Sequence, residues 1–131
     1  MLEKILIFFV DKVNAGVTKA VTQYFYNIDA YFSFVDEVQK LGVDIPIIPG
    51  IMPITSYDNL INFSTNCGAE IPSWILNRLK LYRNDAKSLI EFGEDVVSEM
   101  CLKLKDGGVK NFHFYSMNRV EPVLSIAKRI L

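Results

Sequence analysis

Histidine is almost absent from this chain, with His113 alone, and cysteine is scarce, with only Cys67 and Cys101. Zinc and related centres need three or four closely spaced ligands, and two thiols 34 positions apart with one imidazole do not supply them. No metal site is therefore expected. Each cysteine falls inside a helical pattern, which reads as a buried, reduced and inert thiol. Excess charge is missing as well. Fourteen Lys and Arg against fifteen Asp and Glu leave a formal net charge of -1, with no electrostatic footprint for nucleic acid. The cations are scattered singly, so no polybasic patch marks a membrane surface. The longest unbroken apolar run, Ile5 to Val10, is six residues, against about 20 for a bilayer span. The opening decapeptide has an acidic Glu3, no basic leader and no small-residue cleavage site. A cytoplasmic protein is the expectation.

What is present is apolar substance, half of 131 residues, enough for the core of one domain. No linker, repeat or low-complexity stretch interrupts it, so residues 1–131 read as a single region. Apolar residues at 2, 5, 6, 9, 10 and 13 follow a helical period that Asn14-Ala15-Gly16 ends. Residues 19–26 are β-rich and nearly continuously apolar, as a covered parallel strand should be. Asn27 to Asp29 offers an N-cap for a helix over 30–41, which Gly42 closes. Residues 45–50 form a short strand that runs into a proline-punctuated loop. Ser56 caps a helix to Cys67, and Gly68 stops it. Residues 73–82 form a short helix, and Asn84 or Asp85 caps a long one with apolar positions 89, 93, 96, 97, 100, 101 and 104 on one stripe.

The chain's centre of gravity is 109–119, Val-Lys-Asn-Phe-His-Phe-Tyr-Ser-Met-Asn-Arg. The turn pair Gly107-Gly108 feeds a β-branched and aromatic strand that breaks into a polar loop. A helix follows, with Pro122 in its first turn, where a missing N–H costs nothing. Strand, polar loop, helix is the unit of a parallel α/β sheet, and such sheets place ligands at the strands' carboxyl ends. The predicted order is α, β, α, β, α, α, α, β, α. Three parallel strands do not close a domain alone, since a (β/α)8 barrel takes about 250 residues. The fold class expected is α/β: the closing part of such a barrel, its last three strands with their helices, beginning in mid-fold.

Three stretches resemble the methylenetetrahydrofolate reductase family in order and spacing. AGVTKAVTQYFY is similar to its sixth strand, DIPIIPGIMPI with residues 57–63 to its seventh strand and loop, and GGVKNFHFYSMNR to its eighth. Ala69 to Trp74 resembles the family's Ile-Pro-x-Trp segment. The resemblance implies flavin-dependent reduction of 5,10-methylenetetrahydrofolate to 5-methyltetrahydrofolate in one-carbon metabolism and methionine synthesis. FAD would be the cofactor, reduced by NADH or NADPH. It also implies substrate-binding roles for Gln23, Asn59, Phe63 and Arg119, and a cofactor-binding role for Lys12. A carboxamide such as Gln23 offers donor and acceptor to the amide-like edge of a pterin, though it reads equally as an amide bonded to neighbouring backbone. Arg119 offers a fork for glutamyl carboxylates, where a solvated surface charge is the plain alternative. Asn59 and Phe63 share a helix face, four residues apart, for edge bonding and ring stacking. His113, inside its strand, reads as a hydrogen-bonded core histidine, and Trp74 as a residue packed under the loops.

The departures from the family are as informative. Asn59 stands where the family has a glutamine, one methylene longer. Phe8 and Asp11 replace an asparagine and a basic residue, and Ile5 an acidic one, which erodes the flavin-phosphate side. The family's catalytic glutamate belongs to its first strand and its flavin-tuning aspartate follows the fourth; no strand here corresponds to either, so no catalytic residue is assigned. The expectation is an enzyme function exercised only with a complementing amino-terminal part, the chain alone being expected to self-associate. The alternative is an inactive remnant or a non-catalytic folate-binding fragment.

Overall fold

A computed structural model describes residues 15–116 and 119–131. The helix expected ahead of Gly16, with its Lys12, and residues Met117 and Asn118 lie outside the described residues. The rest alternates strand and helix: β1 (Ala20–Tyr24), α1 (Ile28–Lys40), β2 (Ile47–Ile51), α2 (Tyr57–Cys67), α3 (Ser73–Leu81), α4 (Ala86–Asp106), β3 (His113–Phe114) and α5 (Val120–Ile130). The strands make one parallel sheet in chain order β1-β2-β3, as the sequence predicts.

Helix ends follow local chemistry. The Asn27 side chain accepts the Asp29 and Ala30 N–H groups and starts α1 at Ile28. Ser56 does the same for α2 through the Asn59 N–H, and Gly68, at φ 71°, takes the left-handed turn that ends it. Asp85 caps α4 by accepting both the Ser88 N–H at 3.2 Å and its hydroxyl at 2.7 Å. These bonds hold the Asp85 carboxyl below the usual carboxylate range.

β3 is shorter than the strand expected over 110–116, and β2 explains why. Pro46 O and Gly50 N–H face β1, so the alternate residue Pro49 faces β3. Proline has no N–H to give the ladder. Pairing is confined to Gly50 opposite His113 and Ile51 opposite Phe114, and continues as the Tyr115 N–H donating to Ile51 O at 2.8 Å.

The ladder between β1 and β2 carries an irregularity. Val21 lies opposite Ile48 and Tyr24 opposite Gly50, three steps on β1 for two on β2. One extra residue in a strand is a β-bulge, which re-aims the side chains around it.

The core lies around α4, whose Leu89, Val97, Met100, Cys101 and Leu104 are buried against Tyr24, Tyr31, Ile51, Ile75, Leu79 and Ile126. Burying a side chain of that size is worth about 1.5–3 kcal/mol. The sequence reading of the cysteines holds for Cys101 and fails for Cys67, which is exposed at the last position of α2. Trp74 is 58% exposed and stands edge-to-face with Phe92, rather than packing under loops. Its neighbour Ile75 takes the buried position on α3 instead.

Gly93 is where α4 touches the loop after β2. A Cβ there would lie 2.7 Å from Ile54 O and 2.8 Å from Ile54 Cβ. Gly93→Ala should therefore lower stability, even though alanine is intrinsically the better helix former by about 1 kcal/mol. Overpacking of this kind costs about 1–3 kcal/mol. Urea unfolding followed by circular dichroism checks it, and an unchanged or raised midpoint would refute the close approach.

Candidate functional site

The loop from Met52 to Ser56 leaves the carboxyl end of β2 and is pinned from both sides. The Tyr26 hydroxyl donates to Met52 O at 3.2 Å, and Ile54 is clamped by Gly93. Met52 and Ile54 are buried, so the loop is a continuation of the core. It leads into the N-terminus of α2, where Ser56 fixes the first turn.

A cavity of about 200 Å³ lies between this loop, the first turns of α2 and the chain entering α5. Asn59, Phe63 and Arg119 line it together with Pro53, Thr55 and Leu60. Three of the four predicted substrate contacts therefore meet at one opening, although they lie 56–60 positions apart from Arg119 in sequence. Arg119 occupies the N-cap position of α5, is exposed, and donates its backbone N–H to Ser116 O at 2.8 Å. Among the described residues no acidic side chain pairs with its guanidinium. The positive end of the α2 dipole adds to the same sign of potential. No carboxylate, histidine or tyrosine lines the cavity among the described residues. The opening can hold and orient a flat, electron-rich or anionic group, and its lining offers no proton donor or acceptor for acid–base chemistry.

Gln23 sits elsewhere. It is exposed at the bulge on β1, and its Nε2 donates to Cys67 O, the last carbonyl of α2, at 2.9 Å. It does not line the cavity, but it is tied to the far end of the helix that carries Asn59 and Phe63. His113 corrects the sequence reading. It is exposed, and its ring stands edge-on to Tyr115 with centroids 4.8 Å apart. β3 is a sheet edge among the described residues and has only one neighbour to cover it.

Sequence reasoning assigned the tyrosines no hydrogen-bonding role. The Tyr31 hydroxyl donates to Ile47 O at 2.6 Å, that of Tyr115 to Thr22 O at 2.8 Å, and Tyr24 shares a hydrogen bond with Ser64 at 3.0 Å. A buried tyrosine needs a partner for its O–H, and the density of tyrosine in QYFY and FHFY was the available signal. Burial raises the Tyr26, Tyr31 and Tyr115 hydroxyls above the ordinary phenol range, so they remain donors.

The family model of methylenetetrahydrofolate reductase matches residues 2–131. The chain belongs to the methylenetetrahydrofolate reductase family. It is 38% identical over 115 residues to the 5,10-methylenetetrahydrofolate reductase of Buchnera aphidicola from Acyrthosiphon pisum, covering 88% of this chain and 39% of that one. The Escherichia coli enzyme is 34% identical over 110 residues, 84% of this chain and 37% of that one. Methylenetetrahydrofolate reductase 1 of Schizosaccharomyces pombe is 38% identical over 91% of this chain and 20% of its own length. The chain thus spans about two-fifths of these bacterial relatives. A solved structure from Clostridium thermocellum, a protein that binds two copies of 5-methyl-5,6,7,8-tetrahydrofolic acid, superposes with a TM-score of 0.57 at 26% identity, over 95% of this chain and 46% of that one. The reductase-family fold expected from the three strand motifs is therefore the fold found.

Among the described residues no helix is long and apolar enough to cross a membrane, and no three metal-ligating side chains cluster. The two thiols differ by environment: burial pushes Cys101 up to about 12, whereas Cys67 is exposed. A raised thiol pKa keeps Cys101 protonated and unreactive below that value. A disulfide reagent at about pH 8 should titrate one thiol per chain in buffer and both in denaturant. Two fast thiols in buffer would contradict the burial of Cys101.

Proposed function

We propose that this chain supplies the folate-binding side of a flavin-dependent reduction of 5,10-methylenetetrahydrofolate to 5-methyltetrahydrofolate. The electron donor would be NADH or NADPH. Residues 1–131 act as one region, corresponding to the last three strands of the family's barrel, and the reaction also needs the strands that precede these in the family. The observation that carries this reading is the meeting of Asn59, Phe63 and the unpaired Arg119 around one cavity at the carboxyl ends of β2 and β3. Phe63 offers a face for the pterin, Asn59 an amide for its edge, and Arg119 a cation for the glutamyl carboxylates. Gln23 serves as the fourth contact from the neighbouring strand. The reduced thiols suit a cytoplasmic setting.

The cavity at Arg119 is read as the folate side rather than the flavin side. The cavity beside Asn59 and Phe63 offers Arg119 as its one cation among the described residues, whereas a dinucleotide brings two phosphates to be neutralised. FAD would be held mainly by the family's preceding strands, with Lys12 as this chain's contribution to it. When bound there, it supplies the hydride. The residues described here orient the acceptor and cover it.

A second reading, a non-catalytic folate-binding chain, is favoured by one observation: among the described residues the cavity's lining holds binding groups and no acid or base. The two readings part in a reconstitution with the amino-terminal part of a related reductase. If the chain is the substrate side of an enzyme, the mixture turns yellow and reduces the folate. Folate binding without reduction would select the second reading.

In the reconstituted enzyme, Arg119→Ala should raise the folate KM roughly ten- to a hundred-fold, or about 1.5–3 kcal/mol for one charge-assisted contact. Reduction of the flavin by nicotinamide should stay as it was. Equal damage to both half-reactions would mark Arg119 as structural.

A further inference from the structure

We propose that Thr22 is a positioning residue for Gln23, holding the bulge that turns the glutamine amide out of the β-ladder and toward α2. This rests on the folate reading of Gln23 for its consequence, but not for its geometry. Three hydrogen bonds converge on Thr22. Its Oγ1 accepts the Gly50 N–H at 2.9 Å, and its hydroxyl donates to Gln23 O at 2.9 Å. Its own carbonyl accepts the Tyr115 hydroxyl at 2.8 Å. A regular ladder would give the Gly50 N–H a backbone acceptor on β1; the extra residue of the bulge removes that acceptor, and a side chain replaces it.

The clasp joins three separate pieces of chain. β1 brings Thr22, β2 brings Gly50, and the residue after β3 brings Tyr115. Gly50 is buried, and no larger residue fits: a Cβ there would lie 2.3 Å from Thr22 O and 2.6 Å from Tyr115 Cε2. With the Gln23 carbonyl held by the Thr22 hydroxyl, the Gln23 peptide plane is fixed. Its amide then reaches Cys67 O at 2.9 Å. Serine retains both hydroxyl bonds. Valine has the same shape and makes neither, which leaves the buried Gly50 N–H without its acceptor.

The test follows the Gln23 side-chain amide by NMR in the uniformly nitrogen-15-labelled chain, reconstituted with the amino-terminal part of a related reductase. Gln23→Ala assigns the two amide signals by deleting them. Thr22→Val should move those signals toward free-glutamine positions and raise the dissociation constant for 5-methyltetrahydrofolate about ten-fold. Thr22→Ser should leave both as in the parent. Tyr115→Phe removes one hydroxyl from another strand and should shift the same signals, which keeps the proposal testable where the valine variant does not fold. Gln23 signals unmoved in both Val and Phe variants, or a serine variant as impaired as valine, would overturn the positioning role. Signals that move with no change in folate affinity would preserve the clasp and instead remove Gln23 from the folate contacts.

Discussion

The close approach of α4 to the loop after β2 is the constraint on which this structure turns. Gly93 lets a helix backbone reach within contact of Ile54, and everything at the candidate site is referred to that loop. Ile54 is held by α4, Met52 by the Tyr26 hydroxyl, and Ser56 begins α2. Close-packed interiors transmit displacement because they contain little free volume. A shift of α4 would therefore be felt at Asn59 and Phe63 without any change in their own neighbours. The core and the cavity are two sides of one loop.

Helix ends were legible in the sequence because their causes are local. Ser56, Asp85 and Gly68 act on bonds within four residues of themselves, and the structure places each where its chemistry demands. Strand ends were less so. The length of β3 depends on the direction in which Pro49 would have donated, which becomes visible only when β2 lies between two neighbours. Exposure was misread for the same reason at Cys67, Trp74 and His113. Each is an apolar or ambivalent residue whose burial depends on which elements flank it. A helical stripe says that one face is buried without saying how far around the helix the cover extends.

The candidate site was legible through family motifs more than through spacing. Nothing in sequence separation connects Arg119 with Asn59 and Phe63; the sheet does, by bringing the ends of β2 and β3 side by side. Gln23 marks the limit of such reading. A strict alternation along β1 gives every second residue the same face. The bulge at Thr22 and Gln23 breaks that parity, and no local residue type announces it. The nearest signal was a threonine before a glutamine in an otherwise apolar strand, opposite a glycine preceded by proline.

The chemistry divides along the chain in a way that the cavity's lining makes concrete. In the proposed reading, acceptor recognition uses a ring face, an amide and a cation, and the last two strand–loop units bring all three to one cavity. Proton transfer needs a group that titrates near the working pH, and the cavity's lining holds none among the described residues. A barrel allows this separation because each strand delivers its own loop to the same rim, so binding and reaction groups can be carried by different strands. The Thr22 clasp adds the remaining requirement. The proposed contacts on adjacent strands would need a fixed mutual orientation, and a hydrogen-bonded knot across β1, β2 and the residue after β3 holds those strands in a geometry that a side chain at Gly50 would destroy.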